Sequence, residues 1–102
     1  METTIAGQNI NLNPEGYLLD LNQWNPEIAE HIAQEEGIEL GEEHWPVLKF
    51  LQEQHRQEVA LSIRKVGKSG IVNIKEFYAL FPGGPLKKAS RIAGIPKPAS
   101  CI

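Results

Sequence analysis

The chain has 102 residues, of which 41% are hydrophobic and 23% are charged, as expected for one globular domain with a modest core. No apolar run approaches the ~20 residues of a membrane span. The N-terminal residues do not show the pattern of a secretory signal, in which a basic start is followed by an apolar block. One cysteine, Cys101, cannot form an internal disulfide, which fits a reducing compartment. We therefore expect a cytoplasmic protein without a membrane segment.

The net charge of −3 conceals two blocks of opposite sign. Residues 1–60 carry twelve of the thirteen acidic side chains and a charge of −10, whereas residues 61–102 carry eight of the ten Lys and Arg residues and a charge of +7. Two interpretations stay open. Either the two parts pack together with complementary charge, or the basic part faces an acidic partner or shields an anionic group.

The N-terminal residues predict a small β element. Alternating residues over 3–12, interrupted by Ala6-Gly7-Gln8, predict a short hairpin. Asn13-Pro14-Glu15-Gly16 is a strong turn signal, and Tyr17–Leu19 is a candidate third strand. Such short strands depend on helices for their stability.

Helical patterns follow from Asn25-Pro26, where Asn caps and Pro fits the first turn. The first helix is predicted to end at Gly37, and a second to run from about Gly41 to Glu58. Pro46 requires that the second helix begins later or is kinked. The apolar sides of these helices are predicted to be Ile28, Ala29, Ile32 and Ala33 in the first, and Trp45, Leu48, Leu51 and His55 in the second.

Two shorter helices are predicted next. Leu61–Val66 indicates a short basic helix closed by Gly67 and Gly70. Asn73 with Glu76 three residues later resembles a capping box, which begins another helix. The side chains of that helix expected in the core are Ile74, Phe77, Tyr78 and Phe81.

The C-terminal stretch predicts a helix and then an extended segment. Gly83-Gly84 breaks the chain and Pro85 suits a first helical position. Apolar residues recur at helical spacing as far as Ala93, and Gly94 is a natural helix end. Prolines beyond it prevent the helix from resuming. We therefore predict a domain over residues 1–94 and a flexible C-terminal arm over residues 95–102, able to span about 25 Å at roughly 3.3 Å per residue.

This stretch also carries a family resemblance. Phe-Pro-Gly-Gly-Pro from Phe81, Ile-Ala-Gly-Ile-Pro-Lys-Pro from Ile92, and a penultimate Cys101 resemble the C-terminus of the DsrC/TusE family of sulfur-trafficking proteins. Glu15-Gly16-Tyr17-Leu18, Gln23-Trp24 and Glu43-His44-Trp45 extend the likeness to most of the chain. The position of the second cysteine of DsrC proper is occupied here by Ser90, and TusE-type members lack that second thiol as well. The segment between Lys65 and Leu80 is shorter than the family norm.

The resemblance implies a mainly α fold, a small orthogonal helical bundle with a short N-terminal β-hairpin and an extended flexible arm. It also implies a sulfurtransferase in the broad sense, a persulfide carrier on Cys101 with no independent active-site pocket and no cofactor. The implied partners are an upstream persulfide donor and a downstream thiolation enzyme for the tRNA wobble uridine, or a dissimilatory sulfite reductase. Positive charge favours a sulfur anion, so docking or anion-stabilising roles are expected for Lys87, Lys88, Arg91 and Lys97.

Other classes of function stay open. The basic helices Leu61–Val66 and Pro85–Ala93 could approach nucleic acid, although the net negative charge opposes this and no direct nucleic-acid contact is expected. A structural subunit whose tail docks a partner is a further alternative. The three histidines, His31, His44 and His55, follow no metal-ligand pattern, so no metal site is expected.

Overall fold

A computed structural model describes residues 2–5 and 7–97 of the chain. These residues form a two-stranded antiparallel sheet followed by five helices. The elements are β1 (Glu2–Ile5), β2 (Gln8–Asn11), α1 (Pro26–Glu35), α2 (His44–Arg56), α3 (Ile63–Gly67), α4 (Ile74–Leu80) and α5 (Pro85–Ala93), with a single 3-10 turn at Leu21–Gln23. The mainly helical fold with an N-terminal hairpin is therefore confirmed.

The predicted hairpin forms, but the candidate third strand does not. Ile5 and Ile10 point from the hairpin into the core. The side chain of Asn13 accepts hydrogen bonds from the backbone N–H groups of Glu15 and Tyr17, at 2.9 and 3.0 Å. This side chain competes with strand pairing and curls the chain into a turn. Only an isolated bridge between Leu12 and Leu18 remains of the third strand.

Helix α5 is the centre of the packing, because it contacts α1, α2 and α4. One side of α5 is completely buried, and the same is true of the apolar side of α1. The buried residues of α5 are Pro85, Leu86, Ala89, Ser90, Ile92 and Ala93. The small side chains of Ala89, Ser90 and Ala93 are the kind that allow neighbouring helices to approach closely.

The position of Pro46 is explained by the start of α2. The helix begins at His44, so Pro46 lies in its first turn, where a backbone N–H would have no intrahelical partner. Of the two possibilities, the structure shows that α2 begins later than Gly41, at His44, and not that it is kinked at Pro46. On the predicted apolar side of α2, Leu48 and Leu51 are buried and Trp45 is partly buried, whereas His55 is exposed.

The prediction for α4 was half wrong. Its capping box is present, with Asn73 and Glu76 each accepting the other's backbone N–H. Phe77 and Phe81 are fully buried in edge-to-face contact, at 5.7 Å between ring centroids. Ile74 and Tyr78, however, are 45% and 43% exposed. A helix of two turns at the surface of the domain buries only a narrow strip, which holds Phe77 within α4. Ile74 and Tyr78 lie on the same side as Phe77 and Phe81 but at the margin of that strip, where they remain partly exposed to solvent.

None of the five helices in the described part of the chain is long and apolar enough to span a membrane. Segment 95–102, predicted as an arm, is described only as far as Lys97. Ile95, its first residue, is 1% exposed and belongs to the core cluster. The chain is thus still anchored to the helical domain one residue after Gly94.

The structure predicts that Ser90→Ala stabilises the protein. Ser90 is fully buried, and its Oγ is the one buried side-chain polar atom without a hydrogen-bond partner among residues 2–5 and 7–97. Removing an unpaired buried hydroxyl should raise the free energy of unfolding by about 1 kcal/mol. Denaturant unfolding of both proteins measures the difference.

Ser69→Ala is the matched control. The Ser69 hydroxyl donates to the carbonyl of Val66 at 2.6 Å and accepts from the N–H of Ile71 at 3.1 Å. This substitution should lower stability, by about 1 kcal/mol. Equal effects of the same sign at both positions would contradict the assignment of Ser90 as unpaired.

Candidate functional site at the end of the C-terminal helix

Cys101, the predicted catalytic residue, lies outside the described residues. The geometry available is that of α5, of residues 94–97 that lead toward Cys101, and of the groups that contact them. These groups fix the position of the chain that precedes Cys101. They therefore define the candidate site within the described residues.

Helix α5 ends in a Schellman motif. Gly94 has φ +78°, in the left-handed region that favours glycine. Its N–H donates to the carbonyl of Arg91 at 3.3 Å, and the N–H of Ile95 donates to the carbonyl of Ser90 at 3.1 Å. The burial of Ile95 completes the motif, since an apolar contact commonly accompanies it. Two of the four unpaired carbonyls of this helix end are satisfied in this way.

The other two carbonyls are satisfied by side chains from distant parts of the chain. Trp24 Nε1 donates to the carbonyl of Ile92 at 2.8 Å, and Gln52 Nε2 donates to the carbonyl of Ala93 at 2.8 Å. The Trp24 side chain also covers Gly94, because a Cβ at that position would lie 2.5 Å from Trp24 Cδ1. Every carbonyl of the last turn therefore has a partner.

Arg91 joins α5 to two other segments. Its Nε donates to the carbonyl of Gly16 at 3.0 Å, and its two terminal nitrogens contact Glu36 at 2.6 Å and Glu35 at 3.0 Å. The side chain is only 17% exposed. Gly16 has φ +88°, and a Cβ there would lie 2.8 Å from the Arg91 guanidinium. Arg91 thus holds the turn before Tyr17 and the end of α1 against α5.

The two lysines of α5 differ in their surroundings. Lys88 Nζ lies 3.9 Å from Glu36, and both side chains are about one quarter exposed. Lys87 is exposed, and its ammonium makes no ion pair or hydrogen bond within the part of the chain that the structure describes. Both lysines and Arg91 line a small cavity of about 230 Å³ together with Glu15, Tyr17, Glu36 and Gly83.

Lys97 contacts Glu15, one of the residues that line this cavity. Its Nζ contacts Glu15 Oε2 at 2.9 Å. This hydrogen bond and the charge of Lys97 lower the pKa of the Glu15 carboxyl, with a smaller contribution from the charge of Lys87. Tyr17 donates its hydroxyl to the carbonyl of Lys87 at 3.3 Å, and burial raises the pKa of that hydroxyl. The protonated phenol is therefore kept as a donor.

The four predicted basic residues thus lie on one side of the molecule, around the cavity next to Glu15. Lys88, Arg91 and Lys97 all contact carboxylates of the acidic residues 1–60. Packing with complementary charge is therefore observed at this place. Docking and anion-stabilising roles stay predictions for all four, and Lys87 is an exposed residue whose ammonium makes no ion pair with residues 2–5 and 7–97.

His44, one of the three histidines considered for metal binding, is a buried structural residue. Its Nδ1 accepts the N–H of Gly41 at 3.0 Å, so Nε2 carries the hydrogen and donates to the carbonyl of Leu80 at 3.0 Å. Among residues 2–5 and 7–97 no group of three His, Cys, Asp or Glu side chains converges as metal ligands would.

Sequence reasoning did not single out Trp24 and Gln52 as parts of this site. Gln52 follows Leu51 on the buried side of α2, and a polar side chain at such a position usually has a hydrogen-bond partner in the interior. Trp24 directly precedes a helix cap and carries one N–H donor on an apolar ring. These signals indicate buried donors, but neither reveals which carbonyl accepts.

Comparison with known proteins connects this geometry to one family. The family model described as "DsrC like protein" matches residues 4–102. The chain is 41% identical to "Sulfurtransferase TusE" of Salmonella typhimurium, over 94% of this chain and 95% of that protein. It is 35% identical to "Sulfite reductase, dissimilatory-type subunit gamma" of Nitratidesulfovibrio vulgaris, over 99% and 98% of the two chains.

Solved structures agree with the described fold. The NMR structure of DsrC from Allochromatium vinosum has a TM-score of 0.84 and 39% identity, with both chains fully covered. The crystal structure of the oxidized gamma-subunit of the dissimilatory sulfite reductase (DsrC) from Archaeoglobus fulgidus has a TM-score of 0.83 and 35% identity, again over both complete chains.

The contacts of Arg91 predict that it matters for folding, whereas Lys87 does not. Arg91→Met removes hydrogen bonds to one backbone carbonyl and to two carboxylates, and it should lower the free energy of unfolding by about 2–3 kcal/mol. Lys87→Met, the matched control on the same helix, should change it by less than about 0.5 kcal/mol. Denaturant unfolding compares the two variants. Equal stabilities would contradict the assignment of a structural role to Arg91 and not to Lys87.

The pKa of Glu15 provides a test of the contact with Lys97. Since the pKa is lowered in the folded state, the ion pair is intact at neutral pH and is lost as the pH falls through the lowered pKa. An NMR titration of the Glu15 carboxyl carbon should give a midpoint below the usual range for glutamate. Lys97→Met should move the midpoint upward, whereas Lys75→Met should not. A midpoint insensitive to Lys97→Met would show that the contact is absent in solution.

Proposed function

Because the chain belongs to the DsrC-like family, we propose that it is a sulfur carrier, which accepts a persulfide sulfur on Cys101 and passes it to a downstream acceptor. The observation that carries the proposal is that the family match extends through residue 102 and so includes Cys101, the one thiol of the chain. Relatives that carry the name sulfurtransferase are similar over 94% of the chain.

The chemistry of the proposed step is thiolate exchange. The Cys101 thiolate attacks the outer sulfur of a donor persulfide, and a new S–S bond forms on Cys101 as the S–S bond of the donor breaks. The donor departs as a thiolate. The acceptor then attacks the terminal sulfur of the Cys101 persulfide, and Cys101 is released as a thiolate. Each step moves one sulfur atom and requires no external oxidant.

The basic residues near the end of α5 fit this chemistry in two ways. Nearby positive charge favours the thiolate and persulfide anions. Lys87 has an exposed ammonium that is available to an acidic partner, whereas Lys88, Arg91 and Lys97 are already close to carboxylates. Lys87 is therefore the basic residue proposed to dock a donor or acceptor.

Within the family, we assign the chain to a TusE-like role in a relay for tRNA 2-thiouridine. The similarity to TusE proteins supports this assignment. Ser90 supports it as well, because a cycle that uses two thiols of one chain cannot close when the chain has only one cysteine.

A role beside dissimilatory sulfite reductase is the second candidate. It is favoured by the 35% identity, over almost the entire chain, to the gamma subunit from Nitratidesulfovibrio vulgaris. In that role the protein would bind the reductase rather than a thiolation enzyme. The two candidates share Cys101 as the sulfur-bearing residue and differ in the partner.

A complementation experiment tests the carrier and the relay. In a strain that lacks the gene, tRNA 2-thiouridine, measured by mass spectrometry of nucleosides, should be lost and should return with the wild-type gene. Cys101→Ser should restore none, because a hydroxyl cannot carry the sulfur, whereas the neighbouring control Ser100→Ala should restore it fully. Restoration by Cys101→Ser would rule out the carrier, and undiminished 2-thiouridine in the deletion strain would favour the sulfite reductase role.

A further inference from the structure

Three of the four large apolar side chains that are exposed within residues 2–5 and 7–97 lie close together in the chain. They are Ile71, Ile74 and Tyr78, which are 40%, 45% and 43% exposed, and the fourth is Leu19. The loop between α3 and α4 carries the first of the three, and the other two belong to α4. Single exposed apolar residues are common at protein surfaces, whereas a cluster indicates a place where another molecule binds.

Ile74 and Tyr78 form one apolar stripe on α4. They are four residues apart, so their side chains are neighbours on the helix surface. Ile74 also lies against the end of α3, since a side chain at Gly67 would collide with the Cγ1 atom of Ile74. The Tyr78 hydroxyl makes no hydrogen bond within the part of the chain that the structure describes. The stripe is therefore open to a partner at the junction of α3 and α4.

Cations lie next to this stripe on both helices. Lys75 is on α4, Lys68 directly follows α3, and Arg64 lies one turn before Lys68. All three residues are exposed, and their side chains make no ion pair or hydrogen bond with other described residues. Residues 59–80 contain four Lys and Arg residues and one carboxylate, Glu76. The surface around the stripe is therefore strongly positive.

The packing of the domain leaves these cations without counter-charges. Lys88, Arg91 and Lys97 contact carboxylates of the acidic residues 1–60. The cations of α3 and α4 belong to the same basic part of the sequence but make no such contact. Complementary charge within the chain thus accounts for the basic residues at α5 and not for those at α3 and α4. A negatively charged partner would supply the missing counterpart.

The combination of apolar and charged groups favours a protein as that partner. Apolar side chains with charged residues around them are the usual arrangement of a protein–protein interface, in which tyrosine often contributes strongly. Nucleic acid is less suitable, because Ile71 and Ile74 have neither a hydrogen-bonding group for phosphate nor an aromatic ring for a base.

Six residues define this α3–α4 surface: Arg64, Lys68, Ile71, Ile74, Lys75 and Tyr78. We infer that the α3–α4 surface docks another protein, whose contacting face presents apolar side chains surrounded by Asp and Glu. The inference goes beyond the carrier function, because it concerns binding and requires no transfer of sulfur.

Photo-cross-linking in the cells that make the protein tests the inference. Tyr78 is replaced by p-benzoyl-phenylalanine, which keeps an aromatic ring within the surface. Illumination should give an adduct with one other protein, and peptide mapping should place the cross-link next to Asp or Glu residues of that protein. Lys68→Glu with Lys75→Glu in the same chain should lower the adduct yield about tenfold, because like charges then face each other. Lysines in place of the mapped carboxylates of the partner should restore the yield.

Two controls match these changes. Lys49→Glu with Arg56→Glu makes the same change of charge at the two exposed cations of the acidic part, and it should leave the adduct yield unchanged. The photo-reactive residue placed at Leu19, the exposed apolar residue outside the α3–α4 surface, should give no adduct with the same protein. Because all the substituted side chains are exposed, the variants should keep the circular-dichroism spectrum of the wild-type protein.

Four results would overturn the inference. The first is the absence of any adduct at position 78. The second is a yield that Lys68→Glu with Lys75→Glu does not lower, or that Lys49→Glu with Arg56→Glu lowers equally. The third is an adduct removed by ribonuclease, which would identify RNA as the partner. The fourth is an adduct of twice the mass of the chain, which would identify a second copy. Cys101 takes no part in these measurements, so they judge the docking surface independently of the carrier function.

Discussion

The structure depends on satisfying the buried C-terminal end of α5. Helix α5 packs against α1, α2 and α4, and its last carbonyls therefore lie within the domain, where an unpaired carbonyl would be costly. Gly94 and Ile95 satisfy two of them, and Trp24 and Gln52 satisfy the other two. One set of hydrogen bonds thus connects the segment before α1, the middle of α2 and the start of the chain that leads to Cys101.

A second set of contacts secures the other side of α5 by charge. Arg91 contacts Glu35, Glu36 and the carbonyl of Gly16, and Lys97 contacts Glu15. The two charge blocks of the sequence meet here, so the oppositely charged parts stabilise their own packing. The Arg91 pairs are largely removed from solvent on the arginine side, whereas the Glu15–Lys97 pair is exposed and therefore weaker. The helix is held firmly, and the chain beyond it is held by a contact that can open.

This difference in strength suits a carrier. A residue that delivers sulfur has to reach two partners in turn, and a rigid attachment along its full length would prevent this. A domain that holds α5 and Ile95 in place gives the proposed carrier a fixed origin, and the ion pair of Lys97 with Glu15 lies exposed beyond it.

The sequence by itself determined the local features of this protein. Caps, breakers and periodicity are properties of neighbouring residues, so Asn25-Pro26, the capping box at Asn73, and Pro85 with Gly94 predicted the starts and ends of helices correctly. Only the tertiary structure decided the rest. The exposure of Ile74 and Tyr78 depends on which elements pack against α4. The hydrogen-bond partners of Trp24, Gln52 and Arg91 depend on tertiary packing as well, because the partners in their contacts with α5 or Gly16 are 41 to 75 residues apart in the sequence. A sequence pattern states that a buried donor requires an acceptor, but packing alone determines which acceptor it finds.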